Sequence, residues 1–168
     1  MINALTLHPD RLFSSDPVQR AIARDLYANV KNLPILSPHG HTDPRWFADN
    51  APFGNPAELM LAPDHYIYRM LYSQGLRLED LGVPSRDGGP DVDPRDAWRL
   101  FATHYHLFRG TPSRLWLDHT FATVFGIDVR LGADTADLYY DTIDAALKTD
   151  AFRPRALFER FNIELIAT

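Results

Sequence analysis

Val18, Ile22, Leu26 and Val30 fall on one stripe at helical spacing behind Asp16-Pro17, so the pattern predicts a helix over 16–32 that ends before Pro34. Trp98, Phe101, Tyr105 and Phe108 repeat at three and four residues, which predicts a second helix from Asp93-Pro94 to Gly110. Thr111-Pro112 opens the next, closing at Gly126, and Asp134 or Thr135 caps another that carries Leu138, Ile143 and Leu147 towards Lys148. A further helix runs from Pro63, taken as its start, to Gly75, and a short one spans Phe152 to Phe161. Two stretches break this rhythm. Ile35 to Pro38 is a short apolar strand, and Asn162 to Thr168 reads as a buried one.

Two strands do not make a stable sheet around several helices, so the pattern favours a chain that stops inside a larger domain. The alternative is an edge strand that simply pairs with Ile35 to Pro38. Between Gly82 and Pro94, residues 83–90 are rich in proline and glycine and predict a surface loop. No internal repeat or low-complexity segment is present.

Composition narrows the class. With 168 residues, 45% hydrophobic and 23% charged, the chain is an ordinary globular one that fits a single domain. It has no apolar run long enough for a bilayer and no signal-peptide pattern at its start, so no membrane is expected. A net charge of −5 and the lack of a basic stripe argue against nucleic acid, while an anionic small substrate stays open. Zero cysteines exclude disulfides and thiolate metal sites and fit a reducing, cytoplasmic setting.

Candidate chemistry begins at His39-Gly40-His41. On an extended backbone alternate side chains share a face, so both imidazoles would aim into one space, with Gly40 opposite adding no bulk. Two neutral imidazoles suit a divalent metal, zinc foremost. With 7 histidines in the chain, chance supplies about 0.3 such pairs, so two ordinary loop histidines remain the competing reading. His104-Tyr105-His106 is an internal control. On a helix those rings diverge by about 200° and cannot share an ion.

A second cluster opens the helix after Pro63. His65 and Arg69 share a face at i, i+4, and Tyr66 sits beside His65. Unpaired N–H groups at a helix start favour negative charge, so a Tyr66 phenolate or a substrate carboxylate would gain there. Arg69 could grip a carboxylate through two parallel hydrogen bonds, and proton abstraction beside a carbonyl needs such a positioned base. The competing reading has Tyr66 packing while His65 and Arg69 face water. Asp43 before Pro44 is read as a helix cap rather than a ligand, and Trp116 and His119 as core or surface residues, with substrate contact the lesser alternative.

The order Leu33-Pro34-Ile35, His39-Gly40-His41, Asp64-His65-Tyr66, Arg69, Gly75, Arg114-Leu115-Trp116-Leu117-Asp118-His119 and Phe125-Gly126-Ile127 resembles the uronate (glucuronate) isomerases of the metal-dependent amidohydrolase superfamily. The resemblance runs from about Asp10 to Thr168 and covers only the N-terminal portion of that family.

It implies an α/β fold, the N-terminal part of a distorted (β/α)₈ TIM-type barrel, mostly helical here with about two parallel strands. Residues 1–168 would form one partial domain: helix 16–32, first barrel strand 34–41 with the metal motif, helical insertion 44–161 and second strand 162–168. The implied activity is aldose–ketose isomerisation of D-glucuronate to D-fructuronate and of D-galacturonate to D-tagaturonate. His39 and His41 would be metal ligands, Tyr66 the base, His65 its partner and Arg69 a substrate contact. A divalent metal, zinc foremost, is implied, no organic cofactor, a uronate sugar as ligand and room for a homo-oligomer of the full-length enzyme. Ser37 departs from the acidic residue that many relatives carry there. The later strands with further ligands are missing, so the isolated chain is expected to be an incomplete, inactive fragment. The alternatives are a metal-dependent hydrolase of the same superfamily and a non-catalytic helical fragment.

Overall fold

Proline behind a polar cap starts five of the helices, and in each the cap's side chain accepts a backbone N–H of the first turn. Asp16 accepts from Val18 and Gln19, Asp43 from Arg45, Asn55 from Glu58, Asp93 from Arg95 and Thr111 from Arg114. The computed structural model describes residues 3–83 and 91–167, so the loop expected at 83–90 lies, from 84 onward, outside the described residues.

The elements in chain order are α1 Pro17–Val30, β1 Ile35–Ser37, α2 Pro44–Asp49, α3 Pro56–Met60, α4 His65–Ser73, α5 Pro94–Thr103, α6 Pro112–Thr123, α7 Ala136–Leu147, α8 Pro154–Arg160 and β2 Ile163–Ile166. Short 3₁₀ turns lie at Glu79–Leu81, Tyr105–Phe108, Ala133–Thr135 and Asp150–Phe152. The chain divides into two compact units, one of Met1–Thr6 with Phe53–Thr149, the other of Leu7–Pro52 with Asp150–Thr168. The helical insertion expected over 44–161 supplies most of the first unit, and the strands and the N-terminal helix fall in the second. The physical reason is that the insertion carries a core of its own.

In that helical unit Trp98, Phe101, Tyr105, Phe108, Phe121 and Tyr139 are all buried. Their rings meet edge-on or tilted, Phe121 against Tyr139 at 4.9 Å and Phe101 against Tyr105 at 5.3 Å. Trp98 Nε1 donates to the Ala136 carbonyl at 3.1 Å, which fixes α5 against the start of α7. Every buried hydrophobic side chain among the described residues lies in this unit. Residues near the N-terminus join it by an antiparallel bridge, Ala4 to Val129.

Several local expectations shift. The helix opened by Asp93-Pro94 ends at Thr103 and continues as a 3₁₀ turn, and the tighter turn puts Tyr105 and Phe108 on one buried side. The rings of His104 and His106 therefore stack at 6.3 Å instead of diverging. Thr135 makes no capping bond to α7, because its hydroxyl donates to the Arg130 carbonyl and accepts from the Gly132 N–H. Leu138 is exposed, and Tyr139, Tyr140, Ile143 and Leu147 form the buried face of α7.

The strand-bearing unit pairs β1 with β2 in parallel, Ile35 opposite Ile163 and Ser37 opposite Ile166, with an irregularity between Ile35 and Leu36. Its cohesion is of another kind. Among its described residues only Pro154 is buried, and the predicted stripe Val18, Ile22, Leu26 and Val30 is exposed on α1.

Candidate functional site

The histidine pair leaves β1 on the loop that leads to α2. Gly40 is held closely there: a Cβ at that position would sit 3.2 Å from the Ala167 carbonyl oxygen, just past β2. Ser37 Oγ donates to the His39 carbonyl at 3.0 Å, and the Ala167 N–H donates to the Ser37 carbonyl at 2.8 Å. Both imidazoles are exposed, with ring centroids 5.2 Å apart and planes at 87°.

That separation can be tested against a metal. Two imidazoles bound at about 2.05 Å to one tetrahedral ion place their centroids about 5 Å apart. The residues fit. Among the described residues, however, no group of three or more His, Asp or Glu side chains is placed to hold an ion, so the pair would need further ligands to complete a site. Asp43 does not extend it. Its carboxylate caps α2 and grips Arg45 through contacts of 2.8–3.2 Å, and this hydrogen bonding holds it below the usual carboxylate range.

The second cluster stands on α4 in the helical unit. Pro63 precedes the helix instead of opening it, and Asp64 is the cap, accepting from the Tyr66 N–H at 2.9 Å and the Ile67 N–H at 3.3 Å. Those N–H groups are therefore not free for a phenolate or a substrate anion, as the sequence had suggested. His65 and Tyr66 lie ring beside ring at 4.2 Å. Tyr66 and Arg69 line a cavity of about 590 Å³ together with Met70, Phe108, Ser113 and Trp116. The Arg69 guanidinium has no hydrogen-bond or ion-pair partner among the described residues. Arg69 can thus receive an anion, and Tyr66 is exposed, its hydroxyl without a hydrogen-bond partner among the described residues.

The sequence pointed to Arg69 and Tyr66, and to Trp116 only as a lesser alternative, but not to their other companions. Ser113 and Trp116 are brought in by α6; Trp116 falls one turn after Pro112, a helical spacing that could have placed both at the same wall. Arg114 and Asp118 have a structural use. Arg114 Nε donates to Asp118 at 2.8 Å, Tyr105 OH donates to Asp118 at 2.9 Å, and the guanidinium lies 4.0 Å over the Tyr105 ring. Burial foremost, with Asp118 beside it, pushes the Tyr105 hydroxyl far above its ordinary pKa.

The family model for glucuronate isomerase matches residues 13–168. The chain belongs to the glucuronate isomerase family. Family relatives named uronate isomerase include those of Sphingopyxis alaskensis, 66% identical over 168 residues, and Phenylobacterium zucineum, 64% identical over 168 residues. Each alignment covers 100% of this chain and 35% of the relative, so the chain spans about a third of the length of the curated relatives it matches. Among solved structures, the glucuronate isomerase from Caulobacter crescentus superposes with a TM-score of 0.95 at 64% identity, covering 99% of this chain and 35% of that one. The uronate isomerase from Thermotoga maritima gives a TM-score of 0.81 at 24% identity, covering 97% and 33%, a likeness of fold. The mostly helical chain with two parallel strands is thus the fold of one part of a glucuronate isomerase, as expected from the sequence.

Proposed function

We propose that the gene product carrying this sequence interconverts aldose and ketose uronates, D-glucuronate with D-fructuronate and D-galacturonate with D-tagaturonate. The observation that carries the reading is identity of 64–66% across the whole chain to proteins named uronate isomerase. The reading includes membership of the metal-dependent amidohydrolase superfamily and a cytoplasmic setting, which the absence of cysteine supports.

The reaction moves one proton between adjacent carbons of the open-chain sugar. A base takes the proton from C2, the electrons of that C–H bond form a C1–C2 double bond, and the C1 aldehyde oxygen takes up a proton to give an enediol. Loss of the C2 hydroxyl proton and protonation of C1 then leave the ketone at C2. Tyr66 is the group assigned to the proton transfer, since its exposed phenol lines a cavity large enough for a hexose. His65, stacked beside it, orients that ring or polarises a hydroxyl. Arg69, unpartnered on the same cavity, holds the sugar carboxylate. His39 and His41 hold a divalent metal, zinc foremost, which when bound polarises sugar oxygens.

The test is ¹H NMR of D-glucuronate in D₂O with the intact gene product and a divalent metal. Ketouronate should accumulate, with deuterium entering at the exchanged carbon, and Tyr66→Phe should lower kcat by about 10²–10⁴-fold. Absence of any ketouronate, while an established uronate isomerase works in the same tube, overturns the reading.

A further inference from the structure

The strand-bearing unit has to hold the His39–His41 loop without a buried apolar core, because among its described residues only Pro154 is buried. Hydrogen bonds do that work, and they converge on two residues. Asn50 ends α2 in the left-handed region at φ 50°, where its own N–H bonds the Trp46 carbonyl at 3.0 Å. Its side-chain oxygen accepts the Arg155 N–H at 3.0 Å, in the first turn of α8. The residue at the ordinary cap position of α8, Arg153, makes no such side-chain bond, so Asn50 caps that helix from a distance in sequence. Arg155 returns the favour. Its Nε donates to the Phe47 carbonyl at 2.8 Å and its Nη2 to the Ala48 carbonyl at 2.9 Å, satisfying the C-terminal carbonyls of α2. Arg153 Nη1 adds a bond to the Asn50 carbonyl at 3.2 Å, and Phe47 meets Phe158 edge-on at 5.7 Å.

We infer that Asn50 and Arg155, by capping each other's helices, are positioning residues that set the separation of the His39 and His41 imidazoles. The histidine loop is tethered at its start by β1, which pairs with β2, and at its end by α2, whose first turn Asp43 caps. The reciprocal caps tie α2 to α8, and α8 leads through Phe161 and Asn162 into β2. β1, the loop, α2, α8 and β2 thus form a closed circuit, and Gly40 touches it again at the Ala167 carbonyl. Opening the circuit at the caps frees one end of the loop, and two ligands that must stand about 5 Å apart lose their preset spacing. Asn50 and Arg155 act through the loop's two anchors and are not themselves ligands.

The inference rests on the reading of His39 and His41 as metal ligands, and its test separates the two. Zinc affinity and the visible spectrum of the cobalt-substituted intact gene product are compared for wild type, His39→Ala, Arg155→Lys and Asn50→Gly. Glycine keeps the left-handed backbone and removes only the distant cap, so this variant stands if the arginine variant misfolds. Both capping variants should weaken zinc binding by about 10- to 100-fold, the usual effect of groups that orient metal ligands, and shift the cobalt bands. Far-UV circular dichroism should stay unchanged. If His39→Ala loses zinc while Arg155→Lys and Asn50→Gly bind it within twofold of wild type, the positioning role is overturned and the metal reading survives. If His39→Ala binds zinc like wild type, both fall.

Discussion

Tyr105 and Tyr139 are phenols whose hydroxyls lie in the core and bond Asp118 at 2.9 Å and the Val129 carbonyl at 2.5 Å. Burial foremost raises both far above the ordinary value near 10, with Asp118 adding to it. A group whose folded pKa is raised contributes stability that is complete below its unfolded pKa and disappears as pH climbs towards the folded one. The helical unit should therefore hold its stability up to about pH 10 and lose it above, where the unfolded chain releases phenolic protons and the native one does not. Absorbance at 295 nm checks this: ionisation of two tyrosines should coincide with unfolding, and titration of all seven near pH 10 with the fold intact would refute it. Gly40 gives a second single-residue case. Gly40→Ala presses a methyl to 3.2 Å from a backbone oxygen that no side-chain rotation can move, and should cost about 1 kcal/mol in chemical denaturation of the intact gene product. An unchanged midpoint would show that the loop yields freely.

Elements were legible wherever local chemistry decided them. Asp16, Asp93 and Thr111 each stand before proline and each caps a helix, and Gly75, Gly110 and Gly126 take positive φ where helical segments were expected to close. Such signals are complete within a few residues, so a single chain displays them. What was missed depends on partners distant in sequence. Nothing near His104 shows that the helix must tighten to bury both Tyr105 and Phe108, and nothing near Asn50 announces Arg155 more than a hundred residues away. In the candidate site, the histidine pair was expected on a strand over 34–41, but β1 ends at Ser37 and the two rings come within 5.2 Å on the loop beyond it, while the company that Tyr66 keeps on its cavity comes largely from α6. Asp64 tests the local kind of control. Asp64→Ala strips two N–H groups of α4 of their acceptor and should cost about 1 kcal/mol in thermal or urea unfolding. A loss below about 0.3 kcal/mol would mean that water replaces the cap without penalty.

For the whole molecule, the division of apolar surface matters most. The helical unit holds the aromatic core, while Val18, Ile22, Leu26, Val30, Leu36 and Leu165 of the other unit are half or more exposed in these 168 residues. A run of exposed apolar side chains that size marks a surface built to be covered. The 168-residue polypeptide on its own should therefore bind an apolar dye and self-associate. Hydrogen exchange should be slow in α5 and α7 and fast in α1, β1 and β2. A monomer with uniform protection would contradict both expectations.

The two strands that flank the histidine loop are neighbours in space, yet residues 38–162 separate them along the chain. Pairing them from a random coil means closing a very long loop, and the entropy of that closure is what slows non-local sheets. Most of the intervening residues belong to a unit with its own core, and a chain of about 100 residues shrinks in radius of gyration from about 30 Å to about 13 Å on folding. The insertion therefore acts as a condensable spacer. Once it has collapsed, β2 searches for β1 from the end of a short tether, and assembly of the His39–His41 loop becomes a late event timed by the helical unit.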